Sequence, residues 1–217
     1  MSTATSLTAN QFVRSISTSS FPEPVLTAHR ETRVPGQGKR RFEIDSLASE
    51  NEIVEMFQVT LIIATLLCTL VAGVVFAFAV VVMPGLRTLS DGEFLRAFQV
   101  MDRVTQNNQP VFMLVWIGSA VALVAAAILG FGQFDATGRV LVVSAAIVYV
   151  LGVQLLIVAI NISLNNRVQN LSLADMDETA KEAARRAFEA RWNYSNLTRT
   201  VLASVVAVLL MIVLVRL

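Results

Sequence analysis

Residues 57–86 read FQVTLIIATLLCTLVAGVVFAFAVVVMPGL, thirty positions without one charged side chain. The hydrocarbon core of a bilayer is ~30 Å thick, and a helix needs about 20 apolar residues to cross it. Three further uncharged stretches follow, at 104–134, 140–166 and 200–215. Together they predict an all-α integral membrane protein, a four-helix antiparallel bundle with spans at about 56–83, 110–131, 140–163 and 197–216. Pro84–Gly85 stops the first span, because proline cannot continue a helix and disfavours helix in the residue before it. The short turn over 135–138 makes the second and third spans antiparallel neighbours.

Composition narrows the chemistry. Only 15% of the 217 residues are charged, against about 25% in soluble domains. The net charge is +1, so no bulk attraction to nucleic acid follows. The single cysteine, Cys68, lies in the first span, and the single histidine, His29, lies before it. A His/Cys metal site or a His-ligated haem inside the bundle therefore lacks its ligands. The expected cofactors and metals are none.

Residues 1–55 differ from the rest. They hold Pro22, Pro24, Pro35, Gly36–Gln37–Gly38 and the basic run Lys39–Arg40–Arg41 among many serines and threonines. They read as a disordered, solvated tail ahead of the membrane domain, 56–217. An alternative reading starts translation at Met56.

The connections carry capping signals. Ser90 and Glu93 form a capping-box pattern that opens a short helix over about 91–105. Pro110 starts span two at a favourable first-turn position. Ser172 with Asp175 opens a charged helix, and no Gly or Pro separates it from span four. The charge run over 177–189 reads as a solvated helix face. Gly118 and Gly152 read as close helix-packing positions.

Four antiparallel spans bring the polar residues to one end of the bundle. Arg87, Asn107, Asn108, Gln109, Asn161, Asn165, Asn166, Arg167, Arg191, Trp192, Asn196 and Arg199 all fall there. Span four sharpens the point. Its uncharged core of 16 residues measures about 24 Å at 1.5 Å per residue, short of the hydrocarbon thickness. One more turn must enter, bringing Arg199 with it. Trp192, Asn196 and Arg199 are spaced i, i+4, i+7 and share one face. Plainer readings stand beside this one. The asparagine pairs also fit caps, the arginines also fit interfacial anchors, and Trp192 also fits an aromatic belt.

Four segments carry a family resemblance: Val82-Met83-Pro84-Gly85-Leu86, Asn108-Gln109-Pro110-Val111-Phe112, Leu164-Asn165-Asn166-Arg167-Val168, and Arg191-Trp192 followed by Asn196 and Arg199. Over about 56–217 the chain resembles the anthrone-oxygenase-like family of small four-span membrane proteins, including its bacterial branch known as a domain of unknown function. Ser163 stands where that family often has proline. The resemblance implies oxidation of an anthrone-like, hydrophobic aromatic molecule by O2 without metal or flavin. It implies Arg167, Trp192, Asn196 and Arg199 as catalytic candidates, and Asn165, Asn166 and Asn108 as substrate-binding candidates. Of these, Arg167 and Arg199 would supply positive charge, Asn165 and Asn196 hydrogen bonds, and Trp192 a stacking wall. No histidine or in-span carboxylate offers itself as a base; Glu189, one turn before Trp192, is the nearest acid in sequence. The expected partners are the lipid bilayer and a hydrophobic aromatic small molecule. The competing expectation is a non-catalytic membrane protein, a structural or assembly partner or a binder of lipophiles; a small transporter ranks third. Lys and Arg number nine on the polar-loop side and eight on the tail side. Charges near span ends weigh most, which favours cytoplasmic polar loops in a bacterial plasma membrane.

Overall fold

The computed structural model describes residues 37–133 and 135–217. The chain divides into two units, Met1–Glu43 and Ile44–Leu217; the second holds the membrane domain. Five helices and no strand occur among the described residues. Four are long and apolar enough to cross a bilayer: α1 (Arg40–Leu86), α3 (Pro110–Gly132), α4 (Ala136–Gln169) and α5 (Glu178–Val215). The fifth, α2 (Asp91–Gln106), joins α1 to α3.

The helices run past the expected spans, α4 from Ala136 to Gln169 against 140–163, and two further differences concern where helices start. Helix continues N-terminally from Met56 to Gln37. No Pro or Gly lies between Lys39 and Ala72 to break it, and helix propagates cheaply once nucleated. The remainder of the tail expected over 1–55 lies outside the described residues. The second difference is the start of α5. Ser172 does bond Asp175, but the helix begins at Glu178, where the Asp177 carboxylate accepts from Ala180 N at 2.7 Å. The first pair closes a turn, and the second caps the helix.

Caps account for the other starts. At Ser90 the capping box is complete, with Glu93 Oε2 accepting from Ser90 N at 3.1 Å. Asp135 accepts from Gly138 N at 2.7 Å and starts α4. Gln109 caps α3 through Phe112 N, and Pro110 takes the first helical position.

The membrane-level core is a seam at helical spacing. Phe57, Leu61, Ala64 and Cys68 of α1 meet Leu123 and Ala126 of α3, Val142, Ala145, Tyr149 and Val153 of α4, and Ala203, Val206 and Leu210 of α5. The outward faces are apolar as well. Ile62, Ile63, Leu66, Ile117, Val121, Leu151, Val158, Val201 and Val205 are exposed. Apolar area of that extent on all four long helices has no place in water and suits lipid.

A second cluster closes the polar end. Phe94, Leu95 and Phe98 on one face of α2 pack on Met83, Leu164, Val168, Phe188 and Trp192. The charged part of α5, expected as a solvated face, contributes to this closure. Arg185 donates to the carbonyls of Leu89 at 2.9 Å and Arg87 at 3.0 Å, pairs with Asp91 and Glu189, and lies 4.4 Å over the Phe94 ring. It ties the α1–α2 connection to α5.

Helices α1 and α4 each contain wide π turns, at Phe78–Val82, Val148–Gln154 and Ile157–Asn161. Such turns add a residue and re-aim the side chains that follow; they occur often at functional sites. Two of the three border the cavity described below.

The two glycines read as packing positions differ in kind. A Cβ on Gly152 would meet Leu202 Cδ1 at 2.6 Å, whereas one on Gly118 would meet Leu67 Cδ1 at an ordinary 3.4 Å. Gly152→Ile should therefore displace the Leu202 side chain and cost about 1–3 kcal/mol, read as a lowered unfolding midpoint in detergent. Gly118→Ala should leave that midpoint in place, and an equal response to both changes would refute the distinction.

Candidate functional site

On α5, Trp192, Asn196 and Arg199 point from one stripe and are all buried, at 5%, 2% and 5% exposure. On α4, Asn161 and Asn165 sit one turn apart and share a face. Helix α2 adds Phe98, Met101, Asp102, Thr105 and Gln106. Helix α1 adds Val71, Val74, Val75 and Phe78, and α3 adds Phe112, Met113, Val115 and Trp116. These side chains enclose a cavity of about 350 Å³ at the polar end of the bundle. Ligand pockets begin at about that size. Its walls are mainly apolar, and exposed Gln106, Asn108 and Asn166 also line it. Asn108 holds φ 55° between α2 and α3, a left-handed conformation that asparagine tolerates.

A chain of hydrogen bonds runs along one wall. Trp192 Nε1 donates to Asn165 Oδ1 at 2.9 Å, and Asn165 Nδ2 donates to Asp102 Oδ1 at 2.7 Å. Gln106 Nε2 and Gln169 Nε2 donate to Asp102 Oδ2 at 2.7 and 3.0 Å. Each amide is thereby oriented: Asn165 must give its NH2 to the carboxylate and its oxygen to the indole. Phe78 and Phe98, with ring centroids 5.7 and 5.6 Å from that of Trp192, fix the plane of the indole.

Deeper in the bundle the character changes from acceptor to donor. Asn196 Nδ2 donates to Val75 O at 3.0 Å, and Asn196 Oδ1 accepts from Arg199 Nη2 at 3.1 Å. Three nitrogens of cavity-lining side chains are buried and make no hydrogen bond among the described residues: Arg199 Nε, Asn161 Nδ2 and Trp116 Nε1. All three belong to side chains that line this one cavity. Buried donors are nearly always paired, so three orphans around one space mark it as a place for acceptor atoms. At 1.5 Å per residue, Arg199 lies about 10 Å deeper along α5 than Trp192, and Asn161 about 6 Å deeper along α4 than Asn165.

Six of the seven residues singled out from sequence line the cavity: Asn108, Asn165, Asn166, Trp192, Asn196 and Arg199. Arg167 does not; it is exposed on the last turn of α4. Two residues on from Asn165, it points away from it, since helical neighbours at i, i+2 do not share a face. Glu189 also lies outside the lining and is held by Arg185 and Arg87. Sequence reasoning passed over Asp102. Its signal is positional: Phe94, Phe98 and Asp102 repeat at four-residue spacing on the buried face of α2, where a carboxylate is out of place unless partnered. No group of three or more His, Cys, Asp or Glu side chains able to hold a metal occurs among the described residues.

A family model described as anthrone oxygenase matches residues 100–209, half of the chain. The chain belongs to the anthrone oxygenase family. No curated protein and no solved structure matches it. The matched segment omits α1, including the Val82–Leu86 motif of the sequence resemblance, and runs from within α2 into the membrane part of α5. It takes in Asp102, Asn161, Asn165, Trp192, Asn196 and Arg199. In this member of the anthrone oxygenase family, the side chains that α1 adds to the wall, Val71, Val74, Val75 and Phe78, are all apolar.

The wall chain predicts an energetic coupling. Trp192→Phe and Asn165→Ala, combined in a double-mutant cycle of unfolding in detergent, should couple by about 0.5–2 kcal/mol. Arg167→Ala should stay within about 0.5 kcal/mol of the parent and should not couple to either. Strong coupling through Arg167 would place that side chain inward after all.

Proposed function

We propose that the cavity binds a flat, hydrophobic aromatic ketone of the anthrone type and that the protein promotes its oxidation by O2 without a resident cofactor. The carrying observation is the set of three unpaired donors, Arg199 Nε, Asn161 Nδ2 and Trp116 Nε1, on the lining of one apolar-walled space. Apolar walls favour a ring system, and donors fixed in a water-poor pocket favour an oxygen that gains negative charge during reaction.

A methylene proton leaves the ketone, and the electron pair of the C–H bond spreads onto the carbonyl oxygen as an enolate. That enolate is electron-rich enough to reduce O2, and a C–O bond forms at the former methylene carbon to give a peroxide, which takes up a proton. Loss of the second methylene proton with cleavage of the O–O bond makes a second carbonyl and expels hydroxide, which leaves as water. One CH2 and one O2 become one C=O and one H2O. Arg199 with its neighbours would hold the enolate oxygen. Asn196 would act as a positioning residue, fixing the guanidinium by its oxygen and α1 by its NH2.

Both tryptophans of the chain, Trp116 and Trp192, line the cavity, so intrinsic fluorescence reports occupancy. Purified, metal-free protein should consume O2 with anthrone, and anthraquinone should quench its fluorescence. Arg199→Ala should lower kcat by about 10²–10³-fold, the usual effect of losing one oxyanion donor. Quenching without O2 consumption would make the protein a carrier of lipophiles. Absence of both O2 consumption and quenching would remove the cavity from consideration as a binding site for such rings.

A further inference from the structure

Among the described residues, Asp102 is the one acidic side chain that lines the cavity. It is 8% exposed, and α2 carries it into the bundle from a connection. A buried carboxylate usually has a cationic partner. Asp102 has none among the described residues; the five ion pairs there involve other acids. Three neutral amides surround it instead, from Asn165, Gln106 and Gln169. Their bonds reach both oxygens, and an ionised carboxylate, which only accepts, matches such a ring of donors. A carboxylate offers about four acceptor sites, so three amide bonds leave one open. The amides fix the carboxylate without neutralising it.

The site also has direction. Asn165, which bonds Asp102, lies about 6 Å along α4 from Asn161, and Trp192 lies about 10 Å along α5 from Arg199. The acceptor pole and the donor pole are therefore offset along the bundle. One six-membered ring with a contact at each edge spans on the order of 10 Å. A ring ketone could place its carbonyl at the donors and the C–H across the ring at the carboxylate.

We propose that Asp102 is the proton acceptor of this site, taking the methylene proton of the bound ketone onto its open carboxylate position. The step breaks one C–H bond, leaves the electron pair on the ring and its oxygen, and makes one O–H bond on Asp102. It needs no oxidant. The assignment rests on the ketone-binding reading above but not on the reaction with O2.

The test is therefore run without O2. Anthrone deuterated at its methylene carbon is mixed anaerobically with protein in ordinary water, and loss of deuterium is followed by mass spectrometry above the protein-free rate. Wild-type protein should speed the loss. Asp102→Asn and Asp102→Ala should slow it by about 10²–10⁴-fold, the usual contribution of a general base, while anthraquinone still quenches their tryptophan fluorescence. Formate should restore exchange to Asp102→Ala, a rescue that a scaffolding role would not give. Exchange undiminished in both variants would overturn the assignment. So would loss of anthraquinone binding together with exchange, which would make Asp102 a support for the wall. A wild-type rate equal to the protein-free rate would overturn it too, and continued O2 consumption in that case would leave the oxygenase reading intact. Exchange that depends on Asp102 without quinone formation in air would sink the oxygenase reading and leave this one standing.

Discussion

A guanidinium cannot rest in hydrocarbon without something to hold it, and most of the polar architecture here answers that constraint. The apolar end of α5 is too short to span a bilayer by itself, so the turn carrying Arg199 is drawn inward. Arg199 is 5% exposed and meets an amide oxygen, Asn196 Oδ1, one turn away on its own helix. Asn196 in turn spends its NH2 on the Val75 carbonyl of α1, just ahead of the π turn at Phe78–Val82. One buried charge thus fixes the contact between the first and last spans, and it leaves Nε and its neighbours without partners beside the cavity. A solid apolar interior would have no use for any of these groups.

The sequence made this much readable because α5 is a long, regular helix. On such a helix, spacing of four and seven residues converts directly into a shared face, and Trp192, Asn196 and Arg199 obey it. The same arithmetic misplaces nothing on α4 except Arg167, which adjoins two cavity-lining asparagines in sequence but turns away from Asn165 in space. Neighbours in a motif are not neighbours on a helix. Asp102 was hidden for a different reason. The spans hold no carboxylate to serve as a base, and in sequence the connecting helix reads as a link between them rather than as a wall of the site. Its amphipathic repeat, Phe94, Phe98, Asp102, carries the clue. The start of α5 illustrates the limit of capping motifs: Ser172 with Asp175 closes a turn, while Asp177 caps the helix that begins at Glu178.

The arrangement of charge inside the cavity is unusual for a buried pair. Asp102 and Arg199 line the same space, yet no ion pair joins them among the described residues. Amides stand at each: Asn165, Gln106 and Gln169 around the acid, Asn196 at the base. Amides satisfy a charge without cancelling it. A direct bridge would satisfy both groups more simply. The separation costs stability, because each charge stays desolvated with neutral partners only.

That cost has a physical return if a molecule is to lie between them. In a medium of low effective dielectric, a fixed positive donor set and a fixed carboxylate each act far more strongly on nearby charge than they would in water. A proton moving toward Asp102 and a charge developing near Arg199 would both run down the field that these two groups create. Neither group needs to move, since Asn196 and the three amides already hold them in place, so little reorganisation accompanies the transfer. The field would be strongest where water and counter-ions are scarce, and the apolar wall from α1 and α3 offers them few partners. On this argument the carboxylate and the guanidinium work as one device: removing either weakens the transfer more than its contact with the ligand alone would indicate, because the survivor then faces the ligand without its opposite pole.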